Sequence, residues 1–487
     1  MKNFRFAKYV VITGALGLLG SCNKFLDIND NPNAVVVAPA ANVLIASQTG
    51  LGFLAGSDLH RYTSLIVQQF AGNGGTVQTT AYDRGVITGG DVNNLFRGSI
   101  YAGALADMQR LIIDNQVKSP VYAGIAKIMQ GYLFSITTDS FGDIPFSQAL
   151  QFAANGRPAY DKSEDVYKGI IKLIDSGIDD LKSTNGLKPS ADDLIYGGDL
   201  VKWAKFANTL KLRLYIHYFP KLSQTSNQDF ADLLAKGPNT FMGGVGDNFQ
   251  LRFEPNAGKT NPIDQFERFR PNQFFPSATL IGIMNTKNDP RRPSYFTDQP
   301  LGSGQYVGIA NGAGATGTVS QNYSRMNTYL RGPRTGTGIQ DYDGSAPIRM
   351  MTYADYQFIL AEYYARTGSL TNAKTAFDAG VSASMLMAGI TGTAVTAYIT
   401  SRPALTSANA IQQIIEEKFV ANYGVAVEPW TDFRRTGLPA LSLPAGAQST
   451  AILRILPYSD QDRAANPDNT PARSDLTAPS VFWDPGK

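Results

Sequence analysis

Residues 361–380 read AEYYARTGSLTNAKTAFDAG. Ala361, Gly368 and Ala373 are small enough to let two antiparallel helices approach closely, and Phe377 fills the groove between them. The segment is therefore a helical hairpin. Its spacing is that of a tetratricopeptide pair, and an ordinary hairpin accounts for the segment equally well. No regular repeat of about 34 residues is visible elsewhere, so any further copies must be degenerate.

Working outward, apolar spacing predicts more helices. Tyr122, Ile125, Met129, Tyr132 and Ile136 lie on one face. Ser163 is placed to cap a helix whose first turn holds Glu164 and Asp165, with Val166, Ile170, Ile174, Ile178 and Leu181 facing the core. Asp199 caps another, with Trp203, Phe206, Leu210 and Leu214 in register. Leu95 to Ile113 and Ile411 to Tyr423 read the same way. Strand signals are short, around NFQLRFEP (248–255) and RILPY (454–458). The expected fold class is mostly α.

The chain start addresses location. Lys2, Arg5 and Lys8 precede an apolar run from Tyr9 to Leu19. That run has the length of a secretory h-region and falls short of the ~20 residues of a membrane span. Leu19-Gly20-Ser21-Cys22 resembles the bacterial lipobox, whose cysteine becomes the lipidated first residue. Cys22 is also the single cysteine, which excludes an internal disulfide, a redox role and a Cys-ligated zinc site. The formal charge is +3, and residues 1–21 hold three basic and no acidic side chains, so the rest is neutral. A neutral chain lacks the electrostatic footprint of a nucleic-acid binder. At 43% hydrophobic and 11% aromatic residues, the chain has ample material for a large core. Ten glycines lie from Gly302 to Gly344, a stretch that reads as either a functional loop region or disorder, and its tyrosines argue against a simple flexible linker.

Several motifs then run in order along nearly the whole length. They are FLDINDNPN after the cysteine, DSFGDIPFSQAL (139–150), WAKFANTLKLRLYIH (203–217) and NDPRRPSYF (288–296). MTYADYQFILAEYYARTG, EEKFVANYGVAVEPWTDFRRTGLPAL and RILPYSDQDRAANPDNTPA follow. Together they resemble the SusD/RagB family of outer-membrane nutrient-binding lipoproteins of Bacteroidota, in its SusD-like branch. One departure is that Asn23 to Leu26 separate the cysteine from the first acidic residue, Asp27, where the family often carries an acidic export signal.

The resemblance implies a tetratricopeptide-like helix-pair scaffold with a loop-rich insert. Residues 1–21 would be a lipoprotein signal peptide and 22–487 a single SusD-like domain. The scaffold would span about 38–236 and 350–436, with the insert at about 237–349. It also implies a protein anchored in the outer membrane and exposed at the cell surface. Such a protein binds an oligo- or polysaccharide and serves as the lid of a SusC-like TonB-dependent transporter. Peptides or another nutrient on the same architecture form the alternative, and an anchored glycoside hydrolase a more distant one.

No catalytic motif is present: there is no Gly-x-Ser-x-Gly elbow, His-Glu-x-x-His or phosphate loop. His60 and His217 read as structural, and Asp143 as a turn residue. Asn288 to Arg291 read as a turn that stops a helix, and Arg434 and Arg435 as complements to a helix dipole. No cofactor is expected, and isolated acids such as Asp83 and Asp91 do not define a calcium site.

A sugar site needs flat apolar rings and planar polar groups. Trp203, Trp430 and Trp483 sit in helical or terminal contexts, so the rings should be Tyr or Phe on loops. One candidate region offers Gln78, Tyr82, Asp83 and Arg84. The other offers Phe269, Arg270, Asn272 and Phe274, together with Tyr306, Tyr323, Tyr329 and Arg331. The resemblance places ligand loops broadly in these regions.

Overall fold

The computed structural model describes residues 38–73, 77–256, 258–313 and 319–486. Cys22 and the leader before it lie outside the described residues. Ala40 onward forms one compact unit. No helix among the described residues is long and apolar enough to cross a membrane.

The chain is mostly helical. The first half contains α1 (Ala40–Gly56), α2 (Asp58–Ile66), α3 (Val77–Asp83), α4 (Asn94–Leu105) and α5 (Ala106–Asn115). It continues with α6 (Pro120–Phe141), α7 (Ser163–Asp180), α8 (Leu200–Tyr218) and α9 (Ser223–Leu234). After α10 (Pro262–Phe269) and α11 (Ala278–Thr286) come α12 (Tyr353–Arg366) and α13 (Leu370–Met387). Two further helices, α14 (Ala410–Ala421) and α15 (Glu428–Thr436), complete the part that matters here.

Residues 361–380 form the expected hairpin, α12 against α13. Ala361 and Ala373 are fully buried, and the Phe377 ring meets Phe358 edge-on at 6.0 Å. The pair α6 and α7 also packs closely. A β-carbon on Gly177 would lie 2.8 Å from the carbonyl oxygen of Gly124, so only glycine permits this backbone approach.

Five local expectations change in the structure. Lys162, rather than Ser163, sits at the cap position of α7, and its side chain makes no capping bond. The cap comes from Asp143, whose Oδ1 accepts the Ser163 N–H at 2.9 Å, while its Oδ2 pairs with Lys162 Nζ at 2.7 Å. The Gly-Asp-Ile-Pro turn thus reaches across the chain to finish a helix. Asp143→Ala is expected to cost ~1 kcal/mol, read as a lower urea midpoint at an unchanged slope. Asp199 does cap α8, accepting from the N–H groups of Val201 and Lys202 at 3.0 and 3.1 Å.

The helix expected over Leu95 to Ile113 is two helices, α4 being wound as a π-helix with a non-helical Gly103 before α5. RILPY is no strand, since its backbone bonds to Leu476 and Ser140 outside any ladder. Arg434 and Arg435 are core groups rather than surface complements to a dipole. Arg434 lies with its Cζ 3.9 Å from the Trp430 ring and 4.8 Å from that of Trp483, and Arg435 pairs with Glu362 and Asp432. Asp289 and Arg291 add to the predicted turn a fully buried ion pair that also engages Glu417.

Among the described residues, six strands make three antiparallel two-stranded ladders. β1 (Phe70–Gly72) pairs with β5 (Phe274–Pro276), β2 (Ile144–Pro145) with β3 (Tyr160–Asp161), and β4 (Phe249–Leu251) with β6 (Ile348–Met351). The first ladder has the register Phe70↔Pro276, Ala71↔Phe275, Gly72↔Phe274. It pins two segments about two hundred residues apart in sequence. Elements flanking β1, namely α2 and α3, therefore come to lie beside α10, which leads into β5.

Candidate functional site

A cleft of about 400 Å³ opens where those elements meet. Asp58, Arg61 and Tyr62 come from α2, Gln78 and Tyr82 from α3, Asp91 from the following turn, Asn94 from the start of α4, and Phe266 and Arg270 from α10 and its end. Gly72 lets α3 fold back onto β1, because a β-carbon there would sit 2.4 Å from the Thr79 carbonyl oxygen. Residues predicted from both regions of the sequence thus share one wall-to-wall site.

A short hydrogen-bond chain sets its polar side. Gln78 Nε2 donates to the Tyr82 hydroxyl at 2.7 Å, which donates to Asp91 Oδ1 at 2.8 Å. The Tyr62 hydroxyl donates to the Asp91 carbonyl oxygen at 2.7 Å, and the two rings meet edge-on at 4.9 Å. Burial, with the bond to Asp91, pushes the Tyr82 hydroxyl up to about 12, so it remains a donor. Asp91 Oδ2 accepts from the Thr88 N–H at 2.8 Å and its hydroxyl at 2.6 Å.

The apolar side is Phe266, whose ring lies 5.3 Å from that of Phe274 behind it. The Arg61 guanidinium packs over it at 4.4 Å and is held by Asp58. Phe269, one turn on, is 82% exposed.

The other predicted residues fall elsewhere. Asp83 turns inward and accepts from the N–H groups of Gly312 at 2.6 Å and Gly72 at 3.3 Å, and from Asn311. Arg84 donates to the carbonyl oxygen of the same Gly312 at 3.0 Å. These two neighbours lock the glycine-rich segment to α3. Asn272 binds Asn73 and Arg325, and Phe274 is buried in β5. Tyr323 packs on Phe275, and Tyr329 is buried 4.4 Å from the Tyr295 ring. Arg331 is fully buried and donates to Asp264, the Ile339 carbonyl oxygen and Gln340 at 2.8–2.9 Å. Tyr306 lines a second cleft of about 330 Å³ with Phe296, Asp298, Asn327 and Arg334.

Sequence reasoning missed Arg61, Tyr62 and Phe266. Phe266 stands four residues before Arg270, a spacing that shares one helix face and was legible. His217 is buried between Tyr167 and Glu428, bonding at 2.9 and 3.2 Å. A third groove, of about 300 Å³ between α7, α8 and α9, joins Ile171, Leu214, Leu222 and Phe482 with polar side chains that include Glu164, Lys172 and Asp229.

A family profile described as "Starch-binding associating with outer membrane" matches residues 32–458. The chain belongs to the SusD-like family. No curated protein matches it. Solved SusD homologues share the fold. One from Bacteroides uniformis superposes with a TM-score of 0.74 at 22% identity, over 91% of this chain and 99% of that one. A chitin-binding SusD homologue from Flavobacterium johnsoniae gives 0.76 at 20% identity, over 91% and 98%. A SusD homologue from Bacteroides vulgatus gives 0.75 at 19%, over 92% and 98%. The SusD-like helical architecture is thus retained although about four residues in five differ from these relatives.

Proposed function

We propose that this SusD-like protein captures a glycan in the cleft between α2, α3 and α10 and passes it to a TonB-dependent outer-membrane transporter. A lipid on Cys22, after removal of residues 1–21, would hold it at the outer membrane. The observation that carries the reading is that one cleft brings the Phe266 and Tyr82 rings together with the polar side chains of Gln78 and Arg270. A pyranose presents an apolar C–H face to such a ring and hydroxyls to such polar groups. Phe269 would extend the platform toward solvent.

Hydrolysis fits the cleft less well. Two catalytic carboxyl groups must be free to exchange protons or attack carbon. Here Asp58 is committed to Arg61, and both oxygens of Asp91 are filled by Tyr82 and Thr88. The protein is read as a binder.

The test uses soluble protein beginning after Cys22 on a glycan array, followed by calorimetry on any hit. Phe266→Ala and Phe269→Ala are each expected to weaken binding about 2- to 12-fold, with the fold intact by circular dichroism. Unchanged affinity in both variants would place the glycan elsewhere. A blank array with binding to a peptide library would replace the glycan by a peptide.

A further inference from the structure

Two guanidinium groups converge on a single ring of the cleft. The Cζ of Arg61 lies 4.4 Å from the centroid of Phe266, and that of Arg270 lies 6.0 Å from the same centroid. Like charges this close repel, and the more so where rings displace water. Burial, reinforced by the Arg270 charge, pulls the Arg61 guanidinium down to about 10.

Two carboxylates, Asp58 and Asp91, line the same cleft. Asp58 is spent on Arg61. Asp91 receives the Tyr82 hydroxyl on one oxygen and the Thr88 N–H and hydroxyl on the other. Its position is therefore set by its own turn. Arg270 makes no side-chain hydrogen bond or ion pair among the described residues. Of the two cations lining the cleft, Arg61 is paired with Asp58, while Arg270 lies beside the aromatic face with no carboxylate bonded to it among the described residues.

We infer that the glycan taken by this cleft is acidic, with a uronate-type carboxylate that docks on Arg270 while its ring lies on Phe266. This rests on the glycan reading above and names the class of sugar. A planar carboxylate accepts two parallel N–H bonds from a guanidinium, which a neutral hydroxymethyl group cannot do. It would also cancel the repulsion between Arg61 and Arg270. Arg270 is exposed, so its replacement leaves the core untouched.

The experiment compares oligogalacturonates, oligoglucuronates and oligomannuronates with the same oligosaccharides after reduction of each carboxyl to a primary alcohol. Binding to the soluble wild type and to Arg270→Gln is measured by calorimetry at low and high sodium chloride. At least one acidic series is expected to bind about 10- to 100-fold more tightly than its reduced form, with the difference shrinking in salt. Arg270→Gln should abolish that preference, so that the acidic and reduced forms bind it equally. Equal binding of acid and alcohol forms, or a preference that survives Arg270→Gln, overturns the inference. If neutral array glycans bind and no uronate does, the glycan reading stands and the acidic class falls. If no saccharide of either kind binds, both fall together.

Discussion

Glu362→Ala is expected to cost ~3–5 kcal/mol of unfolding free energy, because it strands a buried cation. Glu362 lies on α12 with its carboxylate fully buried, accepting from both terminal nitrogens of Arg435 at 2.5 Å and from Arg366 Nε at 2.7 Å. Arg435 also binds Asp432 at 2.6 Å, which receives Lys418 at 3.0 Å. Lys418 in turn donates to Glu428 at 2.6 Å, and Arg213 closes the chain onto Asp355 at 2.6 Å. One ionic network thereby joins α8, α12, α14 and α15. Removing a member leaves its partners charged in a medium that solvates charge poorly.

The same group makes stability depend on acid. Burial alone would raise the Glu362 carboxyl, yet Arg435 and Arg366 outweigh it and hold the group down at about 2, against an ordinary 4.5. A group more acidic in the folded state stabilises the fold fully above its unfolded value. That contribution fades as the pH falls from 4.5 through about 2. Urea midpoints at pH 7 and pH 3 should therefore fall for the wild type and fall less for Glu362→Ala. Equal losses in both would remove Glu362 from the acid response.

Trp203→Ala is expected to cost a similar ~3–5 kcal/mol, by leaving a cavity rather than a charge. The indole is fully buried, with Tyr196, Phe206 and Phe249 around it at 5.1–6.1 Å. Its Nε1–H donates to Asp193 Oδ2 at 2.8 Å. Asp193 retains Gln48 and the N–H of Gly198 when the indole is gone, so the loss is mainly packing. Trp203→Phe should recover most of it, leaving a deficit of ~1 kcal/mol for the missing hydrogen bond. Chemical denaturation of both variants checks the split. Near-equal losses would show that the hydrogen bond outweighs the ring.

Residues 361–380, the Asp199 cap and the in-phase Trp203, Phe206, Leu210 and Leu214 show what the chain determined alone. Each depends on spacing along a few turns, and burial of a helical face follows directly from that period. Motif order carried the family in the same local way. Where a partner lies far along the chain, the pattern is silent. Asp83 and Arg84 read as ligand groups, yet they grip Gly312, more than two hundred residues on. Arg331 is spent on Asp264, and Arg435 on Glu362. A charged side chain looks the same in sequence whether water or a buried carboxylate receives it.

The cleft itself belongs to the tertiary structure. Gln78, Tyr82 and Arg270 were legible as residue types, but the β1–β5 register alone puts them beside Arg61, Tyr62 and Phe266. Helices are decided by short-range periodicity and its free energy of burial. The binding site is decided by which surfaces the packed ladder leaves uncovered, and that depends on contacts no local spacing encodes.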